Sequence, residues 1–229
     1  TQLLHIKTLA KGGKRFRPYA VYAAYQAQGG TQDIFGILCA IELLHVFALV
    51  HDDIMDNAHT RHGVDTAHVF GAQIYTAKKD TDAVHRGLSQ GILIGDLIFA
   101  WSMESFIQGT EHFDTAIRTQ AQKIFFQLIE EVVVGQMIDV DISANTKSSV
   151  REVLQKNRLK SGNYTFVRPI LLGSALGGVE ENKKVIIEKA AGYLGEAFQA
   201  QDDLLDIYGE DTGKGLCTDV ASGQHTLVS

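Results

Sequence analysis

Proline is almost missing from this chain. Across 229 residues only Pro18 and Pro169 occur, too little turn punctuation for an all-β domain of that size. Long stretches follow the helical period instead. Ile34, Leu38, Ile41, Leu44, Ala48 and Leu49 step by three and four and so share one face. Ile124, Leu128, Val132 and Met137 behave similarly within 121–141, as does the stretch 185–207. Breakers between these runs predict helices near 32–57, 82–108, 149–161 and 181–208, with Ser149 and Glu152 at capping-box spacing. Gly36, Gly95, Gly135 and Gly195 fall inside helical patterns. Each costs about 1 kcal/mol against alanine, which close helix packing would offset. The expected architecture is all-α: many packed helices in a single domain over 1–229, trimmed at both ends relative to the expressed chain.

Composition removes several function classes. A chain with 45% hydrophobic and 21% charged residues is not disordered. With 21 Lys and Arg against 27 Asp and Glu, the net charge is −6, and no basic stripe offers itself to nucleic acid. Cys39 and Cys217 cannot build a disulfide framework, which favours a reducing, cytoplasmic setting. The apolar run 92–101 is interrupted by Asp96 and is too short for a span of about 20 residues, so no transmembrane segment is expected. No signal peptide is expected, since no charged-then-apolar segment opens the sequence.

Two segments carry the chemistry. His51-Asp52-Asp53-Ile54-Met55-Asp56 and Gln201-Asp202-Asp203-Leu204-Leu205-Asp206 both read Asp-Asp-apolar-apolar-Asp near the end of a long apolar helix. On a helix, Asp52 stacks over Asp56 and Asp202 over Asp206, while the middle residue points about 100° away. Like charges within one turn repel, and the macrodipole worsens this at a C-terminus. Hard divalent cations are the natural compensation, because Mg²⁺ takes one or two carboxylates and fills its other positions with water and phosphate oxygens. One triplet alone also admits the lesser reading of a solvated acidic face; two matching triplets are a much stronger signal.

Basic residues sit in matching positions. Lys11 to Pro18 is a glycine turn followed by Lys14, Arg15 and Arg17 at a helix start, a setting that suits phosphate. Arg61-His62-Gly63 follows the first triplet, Lys160-Ser161-Gly162 ends a predicted helix, and Gly213-Lys214 follows the second triplet. His45 lies seven residues before Asp52 on the same face, and Gln199 shares the face of Asp203 and Asp206. Gly135-Gln136 and Asp139 put polar atoms inside an apolar helix, facing either a polar cavity or a partner helix. Carboxylate clusters plus scattered cations imply a polyanion bridged by Mg²⁺, most simply a diphosphate, in a cavity able to hold a hydrocarbon.

With these motifs in order, the chain resembles the trans-isoprenyl diphosphate synthases (polyprenyl synthetases) along essentially its whole length. The matching segments run from Gly12–Pro18 through the first triplet, Arg61-His62-Gly63, Gly95-Asp96, Gly135-Gln136 and Lys160-Ser161-Gly162 to Phe198–Asp206 and Gly213–Asp219. The resemblance implies an all-α bundle around a deep central cavity, usually in a homodimer, and a farnesyl- or geranylgeranyl-type product. It implies a trinuclear Mg²⁺ cluster on Asp52, Asp56 and Asp202, helped by Asp53 and Asp206, with Asp203 also among the catalytic residues. Arg61, Lys160, Ser161, Gln199 and Lys214 would hold an allylic diphosphate. Lys14, Arg17, His45 and the His62 position would hold isopentenyl diphosphate. The reaction implied is ionisation of the allylic C–O bond, attack by the isopentenyl double bond and loss of a proton to the departing diphosphate.

Several residues depart from the family pattern. His62 replaces an arginine, and a histidine can stand in for an arginine's fixed charge only in part at neutral pH, which predicts weaker isopentenyl binding. Asp65 stands where proline is common, Gln224 where many members have lysine, and Ser161 replaces a threonine. Phe47 lies five residues before Asp52, about 7 Å along the helix, beside the small Ala48. An aromatic there is expected to stop the growing chain at C15–C20. Two other readings stay open at this level: a terpene cyclase on the same architecture, and a regulatory subunit of a heteromeric synthase.

Overall fold

A computed structural model describes residues 2–144 and 149–208. They are helical nearly throughout: α1 (Gln2–Leu9), α2 (Phe16–Ala27), α3 (Phe35–Met55), α4 (Ala67–Ala77), α5 (Ala83–Thr110), α6 (Thr115–Ala144), α7 (Val150–Lys156), a π-helical stretch (Asn157–Val167), α8 (Arg168–Leu176) and α9 (Glu181–Tyr208). The chain divides into two compact units. Of the described residues, the first comprises those within 1–18 and 32–112, and the second those within 19–31 and 113–208.

In the first unit α3 lies along α5. The two helices approach closely enough that a Cβ on Gly36 would meet the Gly109 Cα at 3.1 Å. That proximity lets Ser102 Oγ donate to the Ala40 carbonyl at 2.7 Å and Ser105 Oγ to the Gly36 carbonyl at 2.8 Å. Ile37, Ile41 and Leu44 are fully buried, each contributing about 1.5–3 kcal/mol of burial free energy. Nearer the C-terminal end of α3, Val46 and Val50 join Ile6, Ala67, Ile94 and Ile98 in a core that carries Phe47 and Trp101 at its margin. Among the described helices α3 is the most apolar. By length and composition α3 is the one described helix able to cross a membrane, and here its apolar face is packed into this core.

Between α3 and α4 the chain makes two strands, β1 (Thr60–Arg61) and β2 (Val64–Asp65), paired antiparallel. Their turn is His62-Gly63, with φ of 50° and 76°, the left-handed pair that a tight hairpin requires. Helical periodicity cannot reveal strands of two residues. His5 on α1 braces this hairpin: its ring stacks on Phe70 at 4.1 Å and its Nε2 lies 2.8 Å from the Asp65 carbonyl.

In the second unit α7, the π stretch and α8 run on without a break in helical backbone, so Lys160-Ser161-Gly162 does not end a helix as expected. The Ser149–Glu152 capping box forms at its start. The rod packs against α6 and α9, and two glycines make this possible. A Cβ on Gly135 would fall 2.6 Å from the Lys160 backbone N, and one on Gly195 would fall 2.8 Å from the Gly162 Cα. Buried Arg168 ties the unit together, gripping Glu131 at 2.7 and 2.9 Å and Glu188 at 3.2 Å. Asn163 adds a donor to Glu131 at 3.0 Å.

Candidate active site

The first acidic triplet closes α3. Asp56 caps the helix, its N–H bonded to the Asp52 carbonyl at 2.8 Å, and Asn57 then turns the chain with φ of 51°. The three carboxylates have different fates. Asp53 points inward, 2% exposed, and receives Arg61 from the hairpin: Nε at 2.8 Å and Nη2 at 2.7 Å, both on Oδ1. Burial pushes the Asp53 carboxyl above its ordinary range, and Arg61 only partly counteracts it. Asp52 is half-buried with Arg61 Nη2 at 3.6 Å, and Asp56 is exposed.

This division suits a divalent cation. One carboxylate is neutralised within the protein, while its neighbours at i and i+4 share the outward face of a helix C-terminus whose dipole is already negative. Among the described residues no three His, Cys, Asp or Glu side chains converge as a metal cluster. Asp202, Asp203 and Asp206 fall on the last turns of α9, but their side chains, like Lys214, Gln224 and Cys217, lie outside the described residues.

The cations of the glycine turn also divide their work. Arg15, with φ of 53°, folds back onto the Gly12 and Ala10 carbonyls and pairs with Glu42 at 2.5 Å. It holds the turn itself. Lys14 is exposed. Arg17 reaches His45, its Nη1 3.3 Å from Nε2. Burial, then the charges of Arg17, Arg61 and Arg15, hold the His45 pKa down to about 3, so the imidazole is neutral. A cleft of about 320 Å³ opens in the same unit, lined by Leu9, Lys11, Gly12, Asp53, Arg61 and His62 among others. His62 thus shares a wall with Arg61.

Upstream on α3, Phe47 packs between His51 (ring centroids 4.8 Å apart) and Phe99 of α5 (4.9 Å), with half-buried Ala48 beside it. His51 sits where Gly95 leaves room: a Cβ there would lie 2.1 Å from His51 Nε2. In the second unit, Gly135 and Asp139 face a partner helix. Asp139 accepts from Lys160 Nζ at 2.5 Å and lies 3.3 Å from Lys156 Nζ. Ser161 and Gln199 are half-buried, and Gln199 lines a cleft between α9 and the π stretch.

Sequence reasoning missed Phe99, Lys156 and the Arg61–Asp53 bond. Only Lys156 left a signal, a lysine four residues before Lys160 and so about one turn away.

The residues 3–229 match the polyprenyl synthetase family, and the chain belongs to that family. It is 30% identical over 223 residues to a short chain isoprenyl diphosphate synthase of Methanocaldococcus jannaschii, covering 96% of this chain and 62% of the relative. A geranylgeranyl diphosphate synthase of Saccharolobus solfataricus is 30% identical over 224 residues, covering 95% and 61%. Among solved structures, geranylgeranyl pyrophosphate synthase from Corynebacterium glutamicum, complexed with isoprenyl diphosphate and magnesium, superposes with a TM-score of 0.88. It is 28% identical, covering 98% of this chain and 66% of that one. This chain therefore spans less than two thirds of each of these relatives. The fold is the all-α isoprenoid-synthase fold.

Proposed function

We propose that this chain is a prenyltransferase that condenses isopentenyl diphosphate with an allylic diphosphate and extends an all-trans prenyl diphosphate to C15–C20. The observation that carries this reading is the division within the first triplet: Asp53 is committed to Arg61, while Asp52 and Asp56 remain on the outward face. In this reading Asp52 and Asp56, with Asp202 and Asp206, hold Mg²⁺, three ions per site. The Corynebacterium relative, complexed with isoprenyl diphosphate and magnesium, supports the use of magnesium. Mg²⁺ bound there supplies charge stabilisation to the diphosphate as the allylic C–O bond breaks.

The chain's own residues do the rest. Lys160 and Lys214 place ammonium groups on the allylic diphosphate, with Ser161 and Gln199 donating hydrogen bonds and Arg61 adding charge next to Asp52. Lys14 and Arg17 hold the isopentenyl diphosphate. Neutral His45 orients the Arg17 guanidinium by accepting from it rather than adding a charge of its own. The isopentenyl double bond attacks the allylic cation, and the proton lost goes to the released diphosphate. Apolar walls exclude water, which would quench the cation. Phe47, held by Phe99 and His51, sets the floor.

Homodimer assembly belongs to the same reading. Exposed apolar side chains on α5 (Ile92, Leu93, Leu97) and on α6 (Val133, Val134, Met137, Val140) support it. The test incubates the full-length protein with Mg²⁺, isopentenyl diphosphate and dimethylallyl, geranyl or farnesyl diphosphate, followed by chromatography. Prenyl diphosphates of C15–C20 are expected. A cyclic hydrocarbon, or no product with any starter, overturns the proposal.

A further inference from the structure

Two pieces of backbone carry the candidate diphosphate ligands of the first unit. One is α1 with its glycine turn, which leads to Lys14 and Arg17. The other is the β1–β2 hairpin, which bears Arg61 and His62. Each piece is held together internally. Arg15 bonds the Ala10 and Gly12 carbonyls, so the turn is tied to the end of α1. Fully buried Thr66 closes the base of the hairpin: its N–H donates to the His59 carbonyl at 3.1 Å and its Oγ1 to the Ala58 carbonyl at 2.8 Å.

His5 joins the two pieces. It is 8% exposed and follows α1 into the core beside Ile6. Its ring stacks on Phe70 with the planes 9° apart. Its Nε2 lies 2.8 Å from the Asp65 carbonyl oxygen, and because a carbonyl only accepts, Nε2 is the donor. The strand register explains why that carbonyl is available. Thr60 pairs with Asp65 and Arg61 with Val64. Bonded and non-bonded pairs alternate along an antiparallel ladder. The bond from Thr66 to His59 makes those two a bonded pair, so Thr60 and Asp65 are a non-bonded one and the Asp65 carbonyl turns outward, where His5 reaches it. The Asp65 side chain is held as well, its Oδ2 accepting from Gln73 Nε2 at 2.8 Å.

The two hairpin side chains depend on this brace unequally. Arg61 is bonded twice to Asp53, at 2.8 and 2.7 Å, so α3 sets its place. His62 is exposed at the tip, and no hydrogen bond or ion pair among the described residues holds its side chain. Its ring lies beside Gly12, where an added Cβ would meet Cδ2 at 3.3 Å. The spacing between His62 and the glycine turn is therefore set by how the hairpin sits on α1. We propose that His5 is a positioning residue: by holding the Asp65 carbonyl it fixes the hairpin against α1 and so keeps His62 over the turn that presents Lys14 and Arg17 to isopentenyl diphosphate. This rests on the reading of Lys14, Arg17 and His62 as isopentenyl ligands given above.

The experiment is steady-state kinetics of the full-length protein with Mg²⁺, isopentenyl diphosphate and geranyl diphosphate, for wild type, H5F, H5Q, H62A and H5F/H62A, with thermal melts alongside. H5F keeps a ring to stack on Phe70 but has no donor. It should raise the KM for isopentenyl diphosphate about three- to tenfold, the size of one lost hydrogen bond. The KM for geranyl diphosphate and kcat should stay within about twofold, as expected when ground-state binding of one substrate alone is lost. H5Q places an amide donor near the position of Nε2 and should stay within about twofold of wild type throughout. In the H62A background H5F should add less than about twofold, because the group it positions is gone. A role confined to stability predicts instead a lower melting temperature with both KM values moved alike, and that outcome overturns the proposal, as do H5F and H62A effects that multiply or an H5Q that behaves like H5F. Should H5F fail to fold, H5N, whose shorter amide stops short of the Asp65 carbonyl, takes its place under the same criteria. If H62A raises the isopentenyl KM and H5F does not, the proposal fails and the reading of His62 survives. If H62A leaves that KM unchanged, both fail.

Discussion

Replacing Arg61 with methionine strands Asp53. The Asp53 side chain is 3% exposed and Arg61 Nη2 and Nε both bond its Oδ1, while the Arg61 side chain is 29% exposed. Removing one partner of a fully buried ion pair costs about 3–5 kcal/mol. Because nearly a third of Arg61 faces water, screening reduces this to about 2–3 kcal/mol. The loss depends on pH in a defined direction. Burial already holds the Asp53 carboxyl above its ordinary value despite Arg61, and removing the guanidinium raises it further. A raised folded-state pKa means stability that is present below the unfolded pKa and is lost as pH rises through the folded value. The deficit of R61M should thus be largest at the alkaline end and shrink on acidification, as Asp53 takes up a proton. The assay is urea denaturation of wild type, R61M and R61M/D53N at pH 8, 6.5 and 5, with EDTA present. A deficit below about 1 kcal/mol at pH 8, a deficit that grows on acidification, or a double variant no more stable than R61M would refute the reasoning.

Three further outcomes follow from the geometry. Gly135→Ala places a Cβ 2.6 Å from the Lys160 backbone N, a contact that backbone cannot yield to, so it should destabilise by about 1–3 kcal/mol; an unchanged melting temperature contradicts the packing. Phe47→Ala removes the aromatic braced by Phe99 and His51 and should lengthen the products, which chromatography reads; products no longer than wild type would remove Phe47 from the floor. His62→Arg adds a fixed charge beside Arg61 and should lower the KM for isopentenyl diphosphate several-fold with kcat little changed. An unaltered KM takes position 62 out of that site.

What the sequence disclosed depended on range. The long helices were legible because their apolar positions recur at three and four residues. The same rule put Asp52 and Asp56 on one face and turned Asp53 away from it. The Ser149–Glu152 cap was legible because both partners lie within one turn. The four helix-interior glycines also read correctly as close-packing sites: each would bring a Cβ against another segment, Gly36 against Gly109 and Gly95 against His51. Contacts between distant residues were not legible. That Arg61 returns to Asp53 depends on the His62-Gly63 turn, whose left-handed pair is uncommon outside glycine. The helix that was expected to end at Gly162 continues, because that glycine lies against Gly195 of α9 and the backbone passes into π geometry instead of breaking. The choice left open for Asp139, cavity or partner helix, fell to the helix because Lys156 and Lys160 both reach it.

The central claim is that the two acidic triplets grip one diphosphate through shared metal ions. The most direct measurement is anomalous diffraction from crystals of the full-length protein grown with Mn²⁺ in place of Mg²⁺ and soaked with pyrophosphate. The account predicts metal peaks ligated by Asp52 and Asp56 and by Asp202, with the pyrophosphate between them and Lys160 on its oxygens. Metal confined to one triplet, or pyrophosphate bound away from both, would contradict it.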